Sequence, residues 1–139
     1  MSAEANKSVI RDYFERVQRG DPAVADLIAD DASWWVPPAS PLGGVYEGKA
    51  RVLELMGSGV DLYDPAVPLQ IQVEEMVAEG EWVCVQLVIE AATARGEPYR
   101  NHYHFAFRLR DAKILAAKEY VDTLYAQRML FDPAAADAP

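Results

Sequence analysis

The chain has 139 residues, 13 of them Lys or Arg and 22 Asp or Glu, for a net charge of −9. One domain is the expectation at this length. The acidic balance argues against a nucleic-acid or anionic-membrane surface, since both need a basic face. Apolar residues make up 51% and charged residues 25%, a globular and not a disordered composition. The single cysteine, Cys84, excludes an internal disulfide and a cysteine-rich zinc site. No apolar run is long enough to span a membrane. The N-terminal stretch MSAEANKSVIRDYF lacks the basic-then-apolar pattern of a secretory signal. A soluble, cytoplasmic protein without nucleic-acid or membrane partners is expected.

Residues 3–19 read as an amphipathic helix, with Val9, Ile10, Tyr13, Phe14 and Val17 on one stripe and Gly20 placed to end it. Asp21-Pro22 reads as an N-cap with proline behind it, opening a second helix through Val24, Leu27 and Ile28. Asp30-Asp31 breaks that helix. Ala32 to Val36 follows as a short aromatic strand, and PPASPLGGVYEG as loop. Lys49 to Met56 reads as a third helix and GSGVDLYDPAVP as another loop. From Leu69 the apolar period changes from 3.6 to 2. Strands are expected at Leu69 to Val73 and beyond, Glu81 to Ala94, Glu97 to Arg110 and Ile114 to Val121. Asp122-Thr123 starts a last helix before Leu124 to Leu130. The domain is expected to cover residues 1–131, with 132–139 a disordered tail. Helices first and long antiparallel strands after them imply an α+β domain.

Turn lengths then decide which side chains meet. If Arg95-Gly96 is a two-residue loop, Glu90 lies opposite Asn101, Val88 opposite Tyr103 and Gln86 opposite Phe105. Those residues would form an aromatic floor with polar groups in it, the usual build of a small-molecule pocket. The next turn is a fork. A bulged three-residue loop turns Glu119 toward this face, and a two-residue loop turns Tyr120 and Asp122 there instead. His102 and His104 fall on the opposite face, so no metal site is expected. That outer face is the candidate for homodimer contact.

The element order, together with YEGKARVLELM, YRNHYHFAFRLRDAKI and KEYVDT, resembles the SnoaL-like branch of the nuclear transport factor 2-like superfamily. This superfamily contains ketosteroid isomerases, polyketide cyclases and limonene epoxide hydrolases. The resemblance spans roughly residues 5–130. It implies a cone-shaped α+β fold, a curved antiparallel sheet covered by the N-terminal helices, with a deep apolar pocket and often a homodimer. The acid and base positions of those enzymes carry over poorly. In the epoxide-hydrolase pattern the Asp-Arg-Asp positions fall on Val88, Gln86 and Glu119, and the Tyr and Asn positions on Trp34 and Val36. The isomerase base also falls on Val36, and its oxygen-holding acid near Tyr103. The same register favours the bulged turn and so places Glu119 in the pocket.

The resulting expectation is cofactor-free acid–base chemistry, an isomerase, cyclase or hydrolase acting on an apolar carbonyl or epoxide-type substrate. Glu119 would move the proton with Glu90 secondary, and Asn101 and Tyr103 would hold a substrate oxygen. Trp34, Tyr46, Gln86, Val88, Phe105, Val121 and Asp122 would line the substrate. The alternative is a non-catalytic binding or accessory domain built on the same cone.

Overall fold

A computed structural model describes residues 1–132 of the chain; the expected tail lies outside them, apart from Asp132. Helix α1 spans Ala3–Arg19. Ser2 caps it, its hydroxyl accepting from the Ala5 amide at 3.1 Å. Gly20, at φ 66°, ends it in the left-handed turn that glycine adopts without strain. There the amides of Gly20 and Asp21 donate back to the Val17 and Arg16 carbonyls. Ile10, Tyr13 and Phe14 form the buried stripe.

The second expected helix is only a 3₁₀ segment, Pro22–Leu27, and strand β1 begins at once, Ile28–Val36. Ile28 is fully buried opposite Ile114, so sheet packing takes a residue that periodicity assigned to a helix. Asp31 does not break the chain. It points to solvent, where the Arg110 guanidinium grips it with two bonds of 2.6 and 3.1 Å and holds its carboxyl below the usual range. Within the stretch read as loop lies β2, Gly44–Glu47, antiparallel to β1 with Tyr46 opposite Trp34. Helix α2, Lys49–Val60, continues past Met56 through two glycines. Each glycine costs a helix about 0.8–1 kcal/mol against alanine; burial of Val52 and Leu55 holds α2 against β1.

Four long strands complete the sheet: β3 Gln70–Glu79, β4 Trp82–Ala92, β5 Pro98–Arg110 and β6 Lys113–Val121. Helix α3, Thr123–Ala126, runs into a π turn, Gln127–Phe131. The strand order is β2-β1-β6-β5-β4-β3. The sheet is mixed and not wholly antiparallel, because β1 pairs with β6 in parallel. A parallel pair needs a long crossover, and everything from β2 to β5 supplies it.

Two turns set which faces meet. Between β4 and β5 the loop is Ala94-Arg95-Gly96, closed by bonds between Thr93 and Glu97 and from Gly96 to Thr93, with Gly96 at φ 85°. This is a three-residue loop with glycine in the left-handed position. It pairs Val85 with Phe105, Leu87 with Tyr103 and Ile89 with Asn101. The two-residue expectation was one residue out, which turns Gln86, Val88 and Glu90 to the outer face. Between β5 and β6 the turn is the two-residue form, Asp111-Ala112, both at positive φ (51° and 61°). Leu109 opposes Ile114, but Arg108 opposes Ala116, leaving Leu115 as an extra, bulged residue. That bulge reverses the face again and brings Glu119 opposite Phe105 on the inner side.

The inner face closes over an aromatic cluster. Phe107, fully buried, packs against Tyr13, Phe14 and Trp34 at 5.7–5.9 Å and stacks on Phe105 at 5.3 Å. The outer face carries His102, His104 and the free Cys84, with Val77, Trp82 and Tyr120 exposed. Among the described residues, no helix is long and apolar enough to cross a membrane. Nor does any group of three or more His, Cys, Asp or Glu stand ready to hold a metal ion.

Candidate active site

Helices α1 and α2, the inner sheet face and the α3 segment enclose a cavity of about 930 Å³, large enough for a drug-sized molecule. Its wall is mainly apolar, including Phe14, Val36, Leu55, Ile71, Phe105 and Val121. Phe107 does not line the cavity but packs, fully buried, against the lining rings of Phe105 and Trp34. Leu124, Leu130 and Phe131, from the segment after β6, also line the cavity.

Glu119 stands in this wall. Its Oε1 accepts a bond of 3.1 Å from the Trp34 indole N–H. Trp34 is 2% exposed, so that donor is fixed by packing. No buried side-chain polar atom among the described residues lacks a partner. Oε2 makes no protein hydrogen bond and is therefore open to the cavity. Among the described residues no Lys or Arg pairs with Glu119. Removal from bulk water raises its pKa, and the Trp34 bond, which favours the charged form, opposes the rise. The carboxyl thus holds its proton to higher pH than a solvated glutamate, as a group that must both take and return protons requires.

Tyrosines surround it. Among the described residues the Tyr13 hydroxyl has no hydrogen-bond partner, and by the same reasoning it faces the cavity. Burial raises its pKa well above the ordinary value, and the Glu119 charge adds to this. On the other side, Tyr103 and Tyr63 border the cavity with hydroxyls 3.4 Å apart. Tyr99 lies behind them, 2.7 Å from the Tyr103 hydroxyl. Burial raises the pKa of all three, so at neutral pH each is a neutral phenol with one proton to donate. Tyr63, in the segment after α2, is fixed by bonds from Asp64 to Ala92 and from Ala94 to Leu62.

Of the residues singled out in the sequence, the cavity brings together Glu119, Tyr103, Trp34, Phe105 and Val121. The placement of the others is corrected. Asn101 is 1% exposed and sits behind the wall. Its Nδ2 donates to Tyr99 Oη and the Asp122 carbonyl, and its Oδ1 accepts from the His102 amide. Glu90 points outward and pairs with Arg100 at 3.1 Å. Gln86 is exposed on that face, and Val88 is buried there beside Gln70, Gln72 and Glu90. All three are displaced by the three-residue loop. Tyr46 spends its hydroxyl on the Leu42 carbonyl at 2.8 Å, with Arg51 over its ring. Asp122 is the N-cap of α3, accepting from the Tyr125 amide. The sequence reading missed Tyr13, taken as core stripe, and Tyr63, in a loop; the available signal was a lone aromatic within the Pro/Gly-rich segment.

The architecture recurs widely among solved structures. An NTF2-like protein from Burkholderia xenovorans is 27% identical, with TM-score 0.74 over 94% of this chain and 98% of its own. TerC, co-crystallised with polyporic acid, is 18% identical, with TM-score 0.79 over 91% and 98%. A candidate SnoaL-like polyketide cyclase from a Jannaschia species is 14% identical, with TM-score 0.79 over 99% and 95%. At the lower identities this likeness is one of fold alone. No curated protein matches. The SnoaL-like domain family matches residues 10–117, and with the curved sheet and helix-covered cone already described, the chain belongs to the SnoaL-like family on the NTF2-like fold.

Proposed function

We propose that the cavity takes a small, largely apolar, carbonyl- or epoxide-bearing molecule and that Glu119 moves a proton on it without a cofactor. One observation carries this reading: a carboxyl with no cationic partner is held inside an apolar cavity, with one oxygen fixed by Trp34 and the other facing the void. A purely structural carboxyl in such a place would be costly, since no cation compensates its charge. The family's polyketide-cyclase relatives support an oxygenated, ring-bearing ligand. The reaction class that fits is proton abstraction or return beside a carbonyl, with epoxide opening by an activated water as the variant.

A panel of cyclic enones, hydroxyquinones and epoxides, screened by thermal stabilisation and then by turnover, tests this. Turnover should show an acidic limb set by Glu119. Trp34→Phe removes the bond that favours the carboxylate, so that limb should move to higher pH while the apolar wall is kept. Stabilisation without turnover across the panel would favour the non-catalytic binding domain. An unmoved limb in Trp34→Phe would exclude Glu119 as its source.

We also propose a homodimer through the outer sheet face, where the Trp35 and Tyr120 rings meet at 5.0 Å and Trp82 and Val77 are exposed. Light scattering at micromolar concentration should give twice the chain mass; the mass of one chain would rule it out.

A further inference from the structure

Glycine is needed where the backbone takes a positive φ, or where another segment comes too close for a Cβ. Gly59, near the end of α2, meets neither condition. Its φ is not positive, and a methyl group built on it would meet nothing within 4 Å beyond its own turn of helix. Glycine is also, after proline, the poorest helix former. An amphipathic helix packed on a sheet would carry an apolar side chain at this point of its stripe.

That missing side chain would point inward. At about 100° per residue, Gly59 lies about 20° around the helix from the buried Val52, between Leu55 and Met56 on the inner stripe. Leu55, Met56 and Gly59 all line the cavity. Gly57 lies about 140° from Val52, is exposed and does not line the cavity. The two glycines therefore differ. Gly57 faces solvent, whereas Gly59, half-buried, is a gap of bare backbone in an apolar wall.

We propose that Gly59 is a specificity-determining position: its missing side chain leaves a lobe of the cavity, beside Leu55 and Met56, that receives an apolar chain or branch of the ligand. The proposal rests on the reading of the cavity as a ligand site, not on the chemistry of Glu119, and it adds a size to that ligand. A molecule that fills only the space around Glu119 leaves the lobe unused. One with an apolar extension gains about fourfold in affinity for each methylene it buries there.

The test compares 2-acetylnaphthalene with 2-hexanoylnaphthalene, which is four methylenes longer. Binding is read by quenching of tryptophan fluorescence, since Trp34 lies in the cavity wall. The wild-type protein should bind the longer ketone about tenfold tighter or more. Gly59→Leu should remove most of that gain and leave the acetyl ketone nearly unchanged. Gly59→Ala, which adds one carbon, should remove a smaller part of it, and it decides in the same direction if the leucine variant does not fold. Gly57→Leu should leave both affinities unchanged, separating lost space from a stiffer helix. A second readout needs no ligand. Gly59→Leu has an apolar wall to cover and should melt at a higher temperature than Gly59→Ala, whereas Gly57→Leu should gain nothing over Gly57→Ala. Glu119→Gln should keep the preference for the longer ketone. If neither ketone binds the wild-type protein, the ligand-site reading falls and this one with it. If both bind but Gly59→Leu weakens the two alike or neither, or if leucine gains no more at Gly59 than at Gly57, this proposal alone is overturned.

Discussion

Glu119→Gln is expected to lower turnover by about 10²-fold or more, the usual contribution of a positioned acid or base, while making the protein more stable at neutral pH. Glutamine keeps the shape and can still accept from Trp34, so the change isolates the charge. The stability gain follows from the raised pKa. The native state holds the Glu119 proton more tightly than the unfolded chain does. Stability is then greatest below the unfolded carboxyl value of about 4.3 and declines as pH rises through the higher native value. Glutamine never ionises and escapes that decline. The melting temperature at pH 7 should rise, and the difference should shrink toward zero near pH 4. Calorimetry across that range checks it. An equal turnover rate, or a variant less stable than wild type at pH 7, would mean that the carboxyl is neither reactive nor strained by its surroundings.

Phe107→Ala is expected to cost about 3–5 kcal/mol, as for other fully buried aromatics. The ring is the hub of the aromatic cluster, touching α1 through Tyr13 and Phe14, β1 through Trp34 and its neighbour on β5. Its removal leaves a void among these rings that rigid neighbours on three elements cannot fill. Domains hold only about 5–15 kcal/mol in total, so the urea midpoint should fall by roughly 1.5 M or more. The exposed Val77→Ala should change stability by less than about 0.5 kcal/mol. A small loss in Phe107→Ala would show that the aromatic cluster is loosely packed.

The strands were legible because the alternation of Val83, Val85, Leu87, Ile89 and Ala91 is a direct imprint of a half-buried sheet. The structure buries Val83, Val85 and Leu87 of that pattern on the inner face. The turn assumption chose the other face, and Gln86, Val88 and Glu90 were moved indoors by a loop one residue too short. The cue was Gly96, the residue able to take the left-handed position of a three-residue loop. Glu119 faces inward as expected, but through a different cause, the extra Leu115 in β6 and not a bulged turn. A bulge inside a strand leaves little trace in sequence when its neighbours, here Leu115, Ala116 and Ala117, are all apolar. Tyr63 was invisible as a site residue because its hydroxyl partner, Tyr103, comes from β5 and is brought beside it only by the fold. The 3₁₀ segment and β2 were lost for a similar reason: burial of Ile28 and pairing with β1 outweigh local preference.

The bond between Trp34 and Glu119 joins residues 85 positions apart, across the parallel seam between β1 and β6. A chain emerging from the ribosome presents the indole 85 residues before its carboxyl partner, so the pair cannot exist until β6 has docked beside β1. Chemistry that depends on it is silent in any partly folded form, however much secondary structure that form contains. Recovery of activity after denaturation should therefore lag behind recovery of helical signal, reporting closure of this non-local contact.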